Sequence, residues 1–239
     1  MSITTPPATP TATGAPVLLV HGMASSFELN WREPGWVDLL AEAGREVIGV
    51  DLLGHGTAPR PHDPDDYVRL EDRVLDALPA SGPVEAIGFS LGAMTLLRAA
   101  IAAPERFSKL VVAGIGGGIF ESRGPATELA DAIAKGEPIE GGMASLFVQF
   151  SNHPDNDRLA LAACMRADRP AIDRSVLATI TCPVLVVLGD QDEAGDPSAL
   201  VEAFPDARLQ MLRNTEHFGT PRSFAFIDAA LEFLDAVPA

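Results

Sequence analysis

The chain reads as an α/β protein: a mostly parallel sheet with helices on both faces. Three observations carry that expectation. Short runs that are apolar at every position recur along the chain, helix-like segments alternate with them, and the residues best suited to chemistry fall just after the runs. A strand apolar at every position is buried on both faces, as strands between two helical layers must be.

Thr, Ala and Pro dominate residues 1–15, with prolines at 6, 7 and 10, and such a segment is expected to be a mobile tail. Pro16-Val17-Leu18-Leu19-Val20 is the first apolar run, and further strands are predicted over 46–50, 84–89, 110–113, 184–188 and 208–212. Between them the pattern predicts helices over 36–43, 65–78, 91–102, 198–204 and 222–236. One interval breaks the alternation. From 114 to 181 no buried strand is evident, yet Met143, Leu146, Phe147 and Phe150 lie at helical spacing, as do Leu159, Ala162, Ala163 and Arg166. This interval is read as a helical cap inserted after the fourth parallel strand, with 16–113 and 182–239 forming the core domain.

At 239 residues the chain fits one domain with such an insertion. Its 33 acidic and 17 basic residues leave a formal charge of -16, a field that repels phosphates and argues against nucleic acid or an anionic membrane as partner. The N-terminus carries neither a cationic segment nor an apolar run, and no apolar stretch is long enough to span a bilayer. Cys164 and Cys182 make neither a disulfide framework nor a metal cluster. A cytoplasmic protein without a metal is expected, and composition is silent on its oligomeric state.

The chemistry centres on Gly88-Phe89-Ser90-Leu91-Gly92, where a strand breaks at Gly88, exposes Ser90 on a tight turn and re-enters a helix. Gly-x-Ser-x-Gly in that setting is a nucleophile elbow. The first strand runs into His21-Gly22-Met23, whose backbone suits presentation of the Met23 N–H as one oxyanion donor; the Leu91 N–H, first in the helix, is the other. The His21 side chain itself is read as structural. The strand ending at 188 leads into Gly189-Asp190-Gln191-Asp192, where either aspartate qualifies as the carboxylate that orients a histidine. Of the five histidines, 21, 55, 62, 153 and 217, only His217 follows the last strand. The order serine, acid, histidine is that of elbow-type hydrolases.

Together these residues resemble the α/β-hydrolase superfamily, in its small esterase- and lipase-like form with a helical cap, over about residues 16–236. The resemblance rests on Val20-His21-Gly22-Met23, Asp51-Leu52-Leu53-Gly54-His55-Gly56, Gly88-Phe89-Ser90-Leu91-Gly92, Gly189-Asp190-Gln191-Asp192 and His217. It implies the α/β-hydrolase fold, selects Asp192 as the acid of the triad Ser90, Asp192 and His217, and makes His55 a structural residue of the site's wall. Two departures stand out. The family's antiparallel strand pair has little room in the Pro-rich tail, so the sheet is expected to begin at Val17, and Thr57 stands where Ser is frequent. A serine nucleophile, rather than the aspartate of dehalogenases and epoxide hydrolases, implies a small-molecule acyl substrate, a carboxylic ester first, and no cofactor. A thioesterase or a C–C bond hydrolase on the same triad, with Arg158, Arg166 and Arg169 as an anion patch, is the alternative, and a binding protein with little turnover is another. Met143, Phe147 and Phe150 are candidates for lining an apolar acyl pocket, and Gly114-Ile115-Gly116-Gly117-Gly118 is read as the hinge of the cap.

Overall fold

Val17, Leu18, Leu19 and Val20 are each fully buried, and alternate side chains enter two different cores. Leu18 and Val20 join one cluster, Val17 and Leu19 the other, because successive strand residues point to opposite faces. The continuous apolar run is thus the mark of a central strand. The structure, a computed structural model, describes residues 14–121 and 126–238.

Six strands form one parallel sheet: β1 Val17–Val20, β2 Val47–Val50, β3 Val84–Phe89, β4 Phe107–Ala113, β5 Val184–Gly189 and β6 Ala207–Leu212. Their order is β2-β1-β3-β4-β5-β6, so the sheet begins at Val17 among the described residues. The eight α-helices are α1 Trp36–Glu42, α2 Glu71–Asp76, α3 Leu91–Ala102, α4 Thr127–Lys135, α5 Gly142–Ser151, α6 Arg158–Arg166, α7 Ser198–Val201 and α8 Phe224–Phe233 among those residues. On one face α2 and α3 pack through Val74, Leu96 and Leu97. On the other, Trp36 of α1 meets Trp31 and Phe226 of α8 edge-on, with ring centroids 5.3 and 4.8 Å apart. Among the described residues no helix is long and apolar enough to cross a membrane.

Several elements differ from the sequence expectation. The helix expected over 65–78 is two pieces, a 3-10 turn at Pro64–Tyr67 capped by Asp63 and then α2. The helix over 198–204 stops at Val201. Strand β4 starts three residues early, because its polar residues Ser108 and Lys109 hide it from an apolar scan: the Lys109 ammonium leaves the sheet to bind the Phe233 carbonyl at 2.9 Å and Asp235 at 2.6 Å. Among the described residues between β4 and β5 lie three α-helices, α4, α5 and α6, of which the sequence reading singled out the last two. The expected mobile tail lies outside the described residues apart from Gly14 and Ala15, and the Ala15 carbonyl accepts two hydrogen bonds from Arg45.

The chain leaves β1 toward β2, then returns to the other side of β1 to build β3, β4, β5 and β6. The order therefore reverses between β1 and β3. Diverging connections open a crevice at the carboxyl ends of such a pair, where open α/β sheets hold their ligands. His21-Gly22-Met23 leaves β1 there, and Ser90 leaves β3.

Candidate active site

Ser90 follows β3 directly and precedes α3, with φ of 53° and ψ of −115°. A side-chain-bearing residue in that region is strained by about 1–3 kcal/mol and persists only where its surroundings hold it. The Ser90 N–H donates to the Ala113 carbonyl at 2.8 Å, tying the elbow to β4. The flanking glycines are required by close approach. A Cβ on Gly88 would lie 2.8 Å from the Ala93 Cα, and one on Gly92 would land on the carbonyl oxygens of Val20 and His21. This packing sets the elbow against the end of β1.

His217 and Asp192 arrive from the loops after β6 and β5. The His217 Nε2 lies 2.9 Å from the Ser90 Oγ, and Nδ1 lies 2.8 Å from the Asp192 Oδ2. A carboxylate can only accept, so Nδ1 carries the proton and Nε2 is left to accept from the serine hydroxyl. The Asp192 side chain is fully buried, and its other oxygen accepts from the Ala194 N–H at 3.0 Å. Asp190, the competing candidate, does a different job: its Oδ1 accepts from the Thr215 N–H at 3.3 Å. Gly189 lies against the Thr215 carbonyl, and the Gln191 N–H donates to that carbonyl at 3.1 Å, so the two loops are stitched together beside the histidine.

The Met23 and Leu91 amides both lie in buried residues next to the elbow. Among the described residues neither N–H is taken by another backbone acceptor. The direction of the Met23 N–H follows from the His21 ring. Its Nε2 accepts from the Leu52 N–H at 3.1 Å, which leaves the proton on Nδ1, and Nδ1 donates to the Gly22 carbonyl at 2.7 Å. In a planar trans peptide the N–H points away from the C=O, so fixing the Gly22 oxygen also aims the Met23 hydrogen. Burial holds the His21 pKa below its usual value, which keeps the ring neutral and in this tautomer. The Gly22 N–H in turn donates to the Asn30 Oδ1 at 2.8 Å.

The loop after β2 forms the adjoining wall. Asp51 accepts from the Phe27 N–H, the Thr57 N–H and the Thr57 hydroxyl, each at 2.8 Å. Threonine thus supplies the hydroxyl that serine would supply at that position. Burial pushes the Asp51 pKa up, but these hydrogen bonds outweigh it and leave the carboxyl below its ordinary value. Gly56, at φ of 49°, is needed because a Cβ there would strike the Asp51 carboxylate. His55 is fully buried with Nδ1 2.9 Å from the Leu53 carbonyl, and desolvation lowers its pKa to about 3.

From α5, Phe147 stands 6.2 Å from the His217 ring, and Phe150 stands 4.8 Å from Phe218. Met143 lies one turn before Phe147 on the same helix, half-buried. Phe218 joins them edge-on, 5.1 Å from Phe147 and 5.2 Å from His217. Sequence reasoning missed Phe218, although its position next to His217 was the available signal. The three arginines proposed as an anion patch are engaged elsewhere: Arg158 with the Lys135 carbonyl and Asn152, Arg166 with Asp131, and Arg169 with the Cys164 and Tyr67 carbonyls. A groove of about 640 Å³ runs along the outer side of β2, past Phe27, Arg32, Gly49 and Arg73, and a second of about 320 Å³ lies by Glu71 and Arg98. Neither is lined by Ser90, Asp192 or His217; the site is marked by its convergent polar groups instead.

A family model described as the alpha/beta hydrolase fold matches residues 15–138. The chain is 33% identical over 178 residues to 2-hydroxymuconate semialdehyde hydrolase of Pseudomonas sp. (strain CF600), covering 71% of this chain but only 60% of that enzyme's length. It is 31% identical over 214 residues to the pimeloyl-acyl-carrier-protein methyl ester esterase of Methylococcus capsulatus, covering 78% of this chain and 82% of that one. The solved 2-hydroxy-6-oxo-6-phenylhexa-2,4-dienoate hydrolase of Rhodococcus sp. strain RHA1 superimposes with a TM-score of 0.69 at 21% identity, over 92% of this chain and 90% of that one. At that identity the likeness speaks for the fold.

Proposed function

This chain belongs to the α/β-hydrolase family, and on that premise we propose that it is a serine hydrolase cleaving carboxylic esters through an acyl-enzyme on Ser90. The observation that carries the reading is the His217 imidazole, 2.9 Å from the Ser90 hydroxyl on one side and 2.8 Å from the Asp192 carboxylate on the other. As the Ser90 oxygen attacks the ester carbonyl, His217 Nε2 takes its proton, and Asp192 steadies the imidazolium. The Met23 and Leu91 N–H groups receive the negative charge on the carbonyl oxygen. Collapse expels the alcohol, which leaves with the proton from His217. Water, deprotonated by the same imidazole, then releases the carboxylic acid and restores Ser90.

Phe147, Phe150 and Met143 give the acyl or alcohol part of the substrate an apolar wall, with Phe218 beside them. The partner is a small-molecule acyl compound, and the acidic surface disfavours nucleic acid and anionic membrane. A second reading, C–C bond hydrolysis beside an aldehyde or ketone carbonyl, is favoured by the similarity to 2-hydroxymuconate semialdehyde hydrolase, because that substrate name contains no ester to break. Against it, such a substrate carries a carboxylate, and Arg158, Arg166 and Arg169 are already occupied.

The deciding experiment is a panel of p-nitrophenyl esters, acyl thioesters and dienoate ketones, run with wild type and Ser90→Ala. Ester turnover that vanishes in Ser90→Ala supports the reading. Turnover of the dienoate ketones alone would transfer the site to the second reading, and no turnover of any acyl compound would leave a binding protein.

A further inference from the structure

The loop that carries Met23 is clamped at three successive places. The Gly22 N–H is held by Asn30, the Gly22 carbonyl by His21, and the Ala24 carbonyl by the Asn156 Nδ2 at 3.2 Å. The first two clamps come from the core. The third reaches across from the segment between α5 and α6. Asn156 Nδ2 also donates to the Phe150 carbonyl at 3.1 Å, so both amide hydrogens are committed to carbonyl oxygens, and only the NH2 side of the amide can face them.

Ala24 needs a clamp. It holds φ of 57° while carrying a Cβ, a conformation that side-chain-bearing residues rarely adopt unaided. Relaxation of Ala24 would swing the chain on which Met23 sits. A neighbouring contact provides a contrast: His62 Nε2 lies 2.9 Å from Asp157 Oδ2, joining the same cap segment to the core without touching residues 22–24.

We propose that Asn156 is a positioning residue for the oxyanion hole: by gripping the Ala24 carbonyl it keeps the Met23 N–H aimed, so that seating of the cap segment completes the hole. This rests on the serine-hydrolase reading of Ser90. It links two events, substrate enclosure and activation of the electrostatic machinery, through a single amide. An enzyme so built is poorly reactive while the segment is unseated.

The test compares Asn156→Ala, the near-isosteric Asn156→Asp (which cannot donate) and His62→Ala, using a p-nitrophenyl ester and an alkyl trifluoromethyl ketone. The ketone adds to the serine as an oxyanion, whereas the product carboxylate serves as a ground-state inhibitor. Both Asn156 variants are expected to lose about ten- to a hundredfold in kcat, below the full loss of one donor, with KM within about twofold. Ketone affinity should fall in step, carboxylate inhibition should not move, and His62→Ala should keep kcat and ketone affinity near wild type. Should Asn156→Ala fail to fold, Asn156→Asp carries the test. Asn156 variants with wild-type kcat and ketone affinity, or His62→Ala losing as much as they do, overturn this inference alone. A wild-type chain without Ser90-dependent turnover overturns it together with the reading beneath it.

Discussion

Both ends of the sheet bury polar groups, and they do so in opposite ways. At the amino end, Arg45 donates to the Ala15 and Leu234 carbonyls and pairs with Glu85, which Lys109 also approaches at 3.9 Å. Charge meets charge, and Nε, Nη1 and Nη2 of Arg45 each donate to an oxygen. At the carboxyl end, Ser90, His217 and Asp192 form a chain of hydrogen bonds with a direction, hydroxyl to imidazole to carboxylate. A proton can move along that chain, because an imidazole can accept at one ring nitrogen while it donates from the other. Saturated pairing makes a staple, and an ordered donor-acceptor relay makes a site. The two ends should therefore fail differently when cut.

The largest contrast is predicted for the relay. Asp192→Asn should lower kcat/KM by about 10⁴-fold with little change in stability, whereas Asp190→Asn, whose amide oxygen still accepts from the Thr215 N–H, should stay within about tenfold. Steady-state kinetics of the pair checks this, and equal losses would undo the distinction between the two aspartates. The staple should show the reverse pattern. Arg45→Ala leaves the buried Glu85 carboxylate with Lys109 alone, 3.9 Å away, and is expected to cost about 3 kcal/mol in urea unfolding while kcat stays within about twofold.

A pH series sharpens the comparison further, because the carboxyl end also contains buried neutral imidazoles. Unfolded His55 takes a proton near pH 6.5, whereas the folded ring, with its pKa at about 3, does not. Stability should therefore decline as pH falls from about 6.5 toward 3, by up to about 1.4 kcal/mol per pH unit for this one group. His21, with its pKa also lowered, acts in the same direction. Asp51 acts in a lower window: its folded pKa lies below the unfolded one, so its stabilisation is lost only as pH drops below about 4. Urea midpoints between pH 7 and 5 should fall less steeply in His55→Asn than in wild type. The smallest effect is expected at the aromatic wall on α5. Phe147→Ala should raise KM for hexanoyl esters about tenfold, leave acetyl esters within about twofold, and leave the unfolding midpoint almost unmoved.

The rim was legible because its residues are forced. Gly88 and Gly92 tolerate no Cβ against α3 and the end of β1, and Gly56 tolerates none against Asp51, so the motifs are packing constraints written as letters. Choosing between Asp190 and Asp192 needed either the family resemblance or the coordinates, since both side chains leave the same strand end and only the stitching to Thr215 separates them. The start of β4 was hidden by Ser108 and Lys109, whose polar ends escape the sheet sideways. Asn156 and Phe218 left no trace in periodicity, because an asparagine in a loop and a phenylalanine after a histidine have many ordinary uses. Their contacts arise where the segment between α5 and α6 and the loop after β6 meet the rest of the chain, and that meeting is set by packing across distant parts of the sequence.

The most direct test of the account is the mass of the Ser90 peptide during turnover. Mixed with a p-nitrophenyl ester and quenched within milliseconds, wild type should show a burst of one nitrophenolate per chain and an acyl group on the peptide containing Ser90, and Asp192→Asn should slow the burst. Steady ester hydrolysis without a Ser90 adduct, or hydrolysis that survives in Ser90→Ala, would contradict it.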